Sequence, residues 1–430
     1  MAMVVKNNMS AVRTLNVLNQ NSTALSKSLT KVASGMKING AQDDAAGYAI
    51  SERMRVRIRS LDQANQNSQN DSALMKTAEG AVANTIEILK ALKEKAINAA
   101  NDSNTDEDRQ TIQKEVDQFI DQIDDNALVQ FNGKYLVDGS KNNVVSTSKT
   151  ILLNQFLDTG TTTSSLLTDL KNRAGDSLEI LSTDKYTVSW VINGTTNTTS
   201  AQVNNASLNS LLSFAGAATQ GTSSAALGTD KFNVEVYTPD KTAGIALVAS
   251  TAGVTSQVSG FTISIMDAEG NVKKAANAAL DQFKQYQRAE NQTGDQSLNF
   301  HVGSEANVAI KVGMGDMRSE ALGLKGSSGD RILVTTKENA NASINVIENA
   351  LTKALDQQTT IGAIEARLEY TSANLTTSSE NVQASESTIR DADMAKEMTN
   401  YTKNNVLLQS AQAMLAQANQ NSSAVLSLLQ

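Results

Sequence analysis

The 430-residue sequence contains no cysteine, one proline (Pro239), one tryptophan (Trp190) and one histidine (His301). Without cysteine there are no disulfides, thiol nucleophiles or thiolate metal sites, and a single histidine cannot supply a multi-histidine centre. A Cys or His pair therefore carries no chemistry here, and no metal or cofactor is expected. A chain with no thiols also suits export to an oxidising exterior, because nothing has to pair correctly there. One proline leaves long helices unbroken and few slow isomerisation steps. No stretch approaches a membrane span, and the start, Met1 to Ser10, lacks the apolar core and cleavage pattern of a Sec signal, so export by another route is expected. The net charge of −8 argues against nucleic acid as principal partner. Lys6, Arg13, Lys27, Lys31 and Lys37 precede the first acid, Asp43, and read as solvated helix positions.

What the sequence does have is a heptad at each end. Ala11, Leu15, Leu18, Ser22, Leu25, Leu29, Val32 and Met36 recur at alternating steps of four and three. So do Leu408, Ala411, Leu415, Ala418, Ser422, Val425 and Leu429. Each end reads as a long helix with a narrow apolar seam, which asks for partner helices. Burying the seam of the first helix supplies roughly 1.5–3 kcal/mol per large side chain. Ordering its backbone costs roughly 1–2 kcal/mol per residue. The ends are therefore expected to gain order in an assembly, with ends that are protease-sensitive in the free monomer. Lys403 is the only charged residue from position 401 onward, which suits a closely packed inner layer.

Between the ends the pattern changes twice. A first helix over 4–36 ends at Gly35 and the Asn39-Gly40 turn signal. A second is predicted from Asp43 to about Asn101, with Gly80 its weak point, and a third carries Ile112, Val116, Phe119 and Ile123 on one face after an acidic start at 102–108. From about Asn142 the composition turns to Ser, Thr and Gly with alternating runs. Tyr186, Val188, Trp190 and Ile192 precede an Asn193-Gly194 hairpin signal. Phe232, Val234 and Val236, then Phe261, Ile263 and Ile265, repeat the alternation. Leu298, Phe300 and Val302 with Val308, Ile310 and Val312 read as a last hairpin. Helices resume near Asn339, where Ala340, Ile347, Ala354, Ile361, Leu368, Leu375 and Val382 keep one seam. Ile344, Leu351 and polar Gln358, Glu365, Ser372 and Ser379 hold the other positions, the polar ones setting register.

The expected fold is α+β: coiled-coil-like terminal helices and a helical bundle drawn from both ends, with mainly β structure inserted between. The expected divisions are 1–42 and 391–430 as core helices, 43–141 and 296–390 as an inner helical domain, and 142–295 as a variable outer part of one or two β domains. Helices out, a β excursion and helices back would bring both termini to one end of a long molecule.

The run Leu25-Ser-Lys-Ser-Leu-Thr-Lys-Val-Ala-Ser-Gly-Met-Lys-Ile-Asn-Gly-Ala-Gln-Asp-Asp-Ala-Ala-Gly-Tyr-Ala-Ile50 closely resembles the N-terminal signature of bacterial flagellins, as does Thr77-Ala-Glu-Gly80. Ile389-Arg-Asp-Ala-Asp-Met-Ala-Lys-Glu-Met398, Leu415-Ala-Gln-Ala-Asn-Gln420 and Val425-Leu-Ser-Leu-Leu429 resemble the C-terminal signature. The resemblance covers about 1–140 and 295–430. It implies a secreted, extracellular filament subunit for swimming, exported by the flagellar type III route. Its implied partners are copies of itself, an export chaperone, and the filament cap and junction proteins.

Self-assembly is expected through Leu15, Leu18, Leu25, Leu29, Val32, Leu408, Leu415, Val425 and Leu429. A chaperone is expected on Met398, Leu407, Leu408, Met414 and Leu415, where flexible Met and Leu side chains suit an adaptable groove. Host Toll-like receptors sense flagellins through the segment resembling Leu89–Asn101 and the one beginning at Ile112. Here Ala91 stands for an Arg and Lys95 for a Leu, while Glu115 matches, so weak recognition is expected. Some flagellins carry a His-Glu-x-x-His protease insert, which His301 alone cannot supply. Asp43 and Asp44 read as helix caps rather than an acid pair. Asn-x-Ser/Thr matches at Asn193, Asn197, Asn205 and Asn291 carry little weight, and the Thr161 to Ser165 cluster reads as loop chemistry that could accept O-linked sugars. The alternatives are a hook–filament junction protein and a secreted adhesin or glycan-binding protein displayed on helical anchors.

Overall fold

A computed structural model describes residues 8–214, 217–221, 227–239 and 242–428. In chain order its helices are α1 (Met9–Ser34), α2 (Ala45–Ala99), α3 (Asp106–Ala127), α4 (Leu208–Ser213), α5 (Lys274–Leu280), α6 (Ser319–Leu322), α7 (Lys337–Arg390) and α8 (Met394–Leu428). They belong to two compact units, one built from the chain up to Asn67, His301–Val308 and the chain from Tyr370, the other from Ser68–Phe300 and Ala309–Glu369.

In the first unit α1 and α8 pack antiparallel. Asn8 caps the start of α1 by accepting from the Ala11 N–H at 3.0 Å. Gly35, at φ 71°, ends it with its own N–H on the Lys31 carbonyl, a left-handed cap that a side chain would strain. Polar contacts fix the register of the pair: Asn404 Nδ2 donates to Ser28 Oγ at 3.1 Å, Asn21 Nδ2 to the Leu407 carbonyl at 3.2 Å, and Asn8 Nδ2 to the Ala418 carbonyl at 3.2 Å. In the same unit α2 meets α7 through Leu61, Ala64 and Leu375, with Val382 against them. Two of the polar seam positions of α7 are tied to α2. Ser372 Oγ donates to Asn65 Oδ1 at 2.6 Å and Ser379 Oγ to Asp62 Oδ1 at 2.9 Å.

In the second unit the same seam continues, with Ala340, Ile347, Ala354, Ile361 and Leu368 buried at every seventh residue. Helix α3 opens on a capping box, in which Thr105 and Asp108 bond reciprocally, and the contacts from Thr105 hold the Asp108 pKa below its usual value. Its buried face is Val116, Ile120, Ile123 and Ala127, with Phe119 only half-buried. Arg109 joins α3 to the end of α2: Nε donates to the Ala99 carbonyl at 2.9 Å, one that the helix end leaves open, and Nη2 to the Asn101 carbonyl at 3.1 Å in the turn beyond it.

The strands are β1 (Gln130–Phe131), β2 (Lys134–Tyr135), β3 (Ile151–Asn154), β4 (Lys185–Ile192), β5 (Thr195–Gln202), β6 (Ala217–Gly221), β7 (Gly228–Thr229), β8 (Glu235–Val236), β9 (Ile245–Ala249), β10 (Val258–Met266), β11 (Lys284–Gln287), β12 (Leu298–His301) and β13 (Ala309–Val312). They form sheets ordered β10-β4-β5 and β11-β3-β9-β6, with two-stranded pairs β1-β2, β7-β8 and β12-β13. The Asn193-Gly194 turn, with φ of 50° and 76°, joins β4 to β5 as its sequence predicts. Tyr186 and Val188 of β4 and Phe261, Ile263 and Ile265 of β10 enter one apolar core with Leu208, Leu211 and Leu212 of α4.

The Phe232–Val236 alternation is not a strand along its length. Asp230 Oδ1 accepts from the Phe232 and Val234 N–H groups at 2.8 and 2.9 Å, which folds the run into a turn. Both of these apolar residues are left exposed. The β layer packs directly on α7, whose Asn345 and Asn349 donate to the Phe261 and Ser259 carbonyls of β10 at 3.1 and 2.9 Å.

Candidate assembly surface

The two sequence signatures meet at a junction in the first unit. Lys37 N–H donates to the Arg390 carbonyl at 2.7 Å, and Ala392 N–H donates to the Gly35 carbonyl at 2.9 Å. The Arg390 guanidinium, almost fully buried, lies 2.8 Å from Glu52 Oε1 and over the Tyr48 ring. That hydrogen bond is the main reason the Glu52 pKa falls below its usual value. Asp44 caps α2 by accepting from the Ala46 and Gly47 N–H groups at 3.1 and 3.0 Å. Asp43 turns back to the Asn39 N–H at 3.1 Å. At Gly47 a Cβ would fall 2.5 Å from Asp44 Oδ2 and 2.8 Å from Ile38 Cδ1, so a larger residue there would have to displace the ends of both side chains.

Beyond the junction, the strip of α1 with reduced exposure follows the heptad Ala11, Thr14, Leu18, Asn21, Leu25, Ser28 and Val32, with Ala24 and Lys31 also half-buried. This heptad shares Ala11, Leu18, Leu25 and Val32 with the apolar seam read from the sequence and replaces its other half. Leu15 and Leu29 therefore stand 45% and 52% exposed, with Val12 beside them. On α8 the sequence seam is the covered strip as far as side chains are described. Leu408, Leu415 and Ala418 are half-buried and Ala411 is 6% exposed. The Val425 side chain and Leu429 lie outside the described residues. The five chaperone positions divide: Met398, Leu407 and Met414 are exposed, Met414 by 64%, whereas Leu408 and Leu415 belong to the covered strip.

In the second unit Ala91 and Lys95 are half-exposed and Glu115 is exposed. Lys95 Nζ and Glu115 form an ion pair with each other, and Lys93 pairs with Glu348 at 3.2 Å. Sequence reasoning placed these positions but missed their mutual pairing, which links residues 20 apart on two helices. Arg390 was read only as part of the Ile389–Met398 signature, and a basic residue just before Asp391 and Asp393 gave no sign of its partners.

His301 offers only its carbonyl in a described bond, accepting from Asn67 Nδ2 at 3.3 Å. Among the described residues no His, Cys, Asp or Glu cluster could hold a metal ion, and no helix is long and apolar enough to cross a membrane. The arrangement defines a structural, self-assembling class: both chain ends are joined into one helical pair, and apolar side chains remain on its outside. The model of the bacterial flagellin N-terminal helical region matches residues 5–142 and that of the C-terminal helical region matches 344–429. A flagellin of Clostridium tyrobutyricum is 34% identical over 97% of this chain and 99% of its own length. One of Bacillus subtilis is 28% identical over 99% of this chain and 100% of its own. Among solved structures, flagellar hook associated protein-3 of Legionella pneumophila aligns over 78% of this chain and 97% of its own at 16% identity, with a TM-score of 0.34, too slight a likeness to bear on the fold. The chain belongs to the bacterial flagellin family. It is a structural subunit of the extracellular flagellar filament, not an enzyme.

Proposed function

We propose that 1–42 and 391–430 line the filament, that 43–141 and 296–390 form the next layer, and that 142–295 projects outward. The observation that supports this is the unpaired apolar side of the α1–α8 pair. Val12, Leu15 and Leu29 on α1, with Val406, Leu407 and Met414 on α8, remain exposed after the two helices have satisfied each other. A monomer that exposes such a strip gains free energy by seating it on the next copy. The contact is heterologous and does not close, so growth stays open-ended. Removing residues 1–36 or 401–430 should abolish seeded growth while the second unit keeps its fold by circular dichroism. Long filaments from either truncated protein would contradict the layering.

The chaperone reading rests on Met398, Leu407 and Met414, which are open to a groove in the monomer. Covering Leu408 and Leu415 as well requires the α1–α8 pair to separate, so chaperone binding and incorporation exclude each other. Cap and junction proteins take the same helical ends at the filament's two extremities. For a Toll-like receptor, Ala91 offers no guanidinium and the Lys95–Glu115 pair holds a charge where an apolar anchor is needed, so recognition is weak.

A further inference from the structure

In the second unit a cleft of about 550 Å³ opens between α7 and the segment around β11, lined by Lys284, Gln285, Arg288, Glu348, Asn349 and Thr352 among others. Two recesses of about 300 and about 200 Å³ adjoin it, and Arg288 borders all three spaces. Arg288 is held in place: Nε donates to Gln285 Oε1 at 3.1 Å and Nη2 lies 3.6 Å from Asp356 Oδ2.

The polar lining has two properties that select a ligand. Its charges come close to cancelling: in the main cleft Lys284 and Arg288 face Asp281 and Glu348, and around the recesses Lys231, Arg288 and Lys353 face Asp230, Glu290 and Asp356. Neither an anion nor a cation is favoured. Its amides are oriented but incomplete. Gln285, Gln287 and Gln357 each have one end tied, to Arg288, to the Thr229 carbonyl at 2.6 Å and to the Gly315 N–H at 3.1 Å respectively. The other end of each, Gln285 Nε2, Gln287 Oε1 and Gln357 Nε2, is buried behind the lining without a hydrogen-bond partner, so a small side-chain shift would turn it to a ligand. Lys353, itself almost wholly buried, donates to the Ala321 carbonyl alone at 2.9 Å among its described bonds. The apolar component is small: Phe283 lies in the wall of the main cleft, and Tyr286, 44% exposed, lines the recess of about 300 Å³.

Donors and acceptors side by side, little net charge and one aromatic face describe a partner that carries many hydroxyls and a face of C–H bonds. We propose that this cleft and the adjoining recess of about 300 Å³ bind a neutral saccharide of one or two rings, one ring against Tyr286 in the recess and its hydroxyls shared among Arg288, Asn349 and Asp356. The volume suits that size.

The test is ligand-observed NMR and titration calorimetry on the full chain, with glucose, galactose, N-acetylglucosamine, maltose and chitobiose, and with glucuronic acid as the acidic control. The expected result is saturation by at least one neutral sugar at up to about 20 mM, as for a Kd of about 1 mM. Affinity should fall about tenfold or more in Tyr286→Ala and Arg288→Gln. Tyr286 is exposed, so that variant should keep the wild-type circular dichroism and melting curve even if Arg288→Gln does not. Failure of every neutral sugar would leave the cleft to water and overturn the proposal. Preference for glucuronic acid would overturn its neutral class, and affinity unchanged in both variants would overturn its location.

Discussion

The Arg390 guanidinium reaches Glu52 Oε1 at 2.8 Å while the Arg390 backbone carbonyl accepts from Lys37 N–H at 2.7 Å, so one residue ties the turn after α1 to the end of α7. Its Nε also lies 3.2 Å from the Met36 sulfur. Arg390→Ala should loosen the turn, and Arg390→Lys should restore little, because an ammonium cannot satisfy those partners together. Amide hydrogen exchange over residues 36–47 should speed up in both variants. Wild-type exchange in Arg390→Ala would mean that the turn holds without it.

The carboxyl of Asp281 gives a second prediction. Burial pushes its pKa from 3.8 up to about 7, against a weak opposing bond from the Ile263 N–H at 3.3 Å. The folded state therefore binds more protons than the unfolded state between about pH 4 and 7, so stability falls as pH rises through that window. Asp281→Asn removes the effect. Its melting temperature should exceed the wild type's at pH 8, and the advantage should vanish towards pH 4. An advantage independent of pH would show that the carboxyl does not titrate in this way.

Much of the helical architecture is legible because its signal is local and periodic. The Ala340-to-Val382 seam, Asn193-Gly194 and the polar Ser372 and Ser379 could all be read from spacing. The terminal seam was half legible for a physical reason: two heptads on α1 share Ala11, Leu18, Leu25 and Val32. Apolarity favours the half with Leu15 and Leu29, but Asn21 and Ser28 bond α8. The more polar half takes the intramolecular partner. Sheet order was illegible because β9 pairs with β3 and β6 across long stretches of chain, and no periodicity encodes a partner. The Lys95–Glu115 pair and the cleft at Arg288 were hidden for the same reason.

A third prediction separates the two groups of chaperone positions. Leu407→Asp with Met414→Asp should weaken chaperone binding while leaving the α1–α8 pair intact, since both side chains are exposed. Leu408→Asp with Leu415→Asp should damage both, because each charge would enter the covered strip. Calorimetry with the export chaperone, alongside the thermal melt of each variant, distinguishes them. Full affinity in both double variants would place the chaperone elsewhere.

Receptor sensing supplies a fourth. Ala91→Arg with Lys95→Leu should raise signalling in Toll-like receptor reporter cells, since it adds a bidentate donor and breaks the pair that occupies Glu115. A response no stronger than wild type would show that the deficit lies outside these positions.

In the proposed layering, the half-seam not used by α8 is the contact between subunits. Seeded growth of Leu15→Ser with Leu29→Ser, followed by electron microscopy, tests it most directly. Both side chains are exposed in the monomer, so the variant should keep the wild-type melting curve yet add no length to filament seeds. Filaments of wild-type length and growth rate would contradict the account.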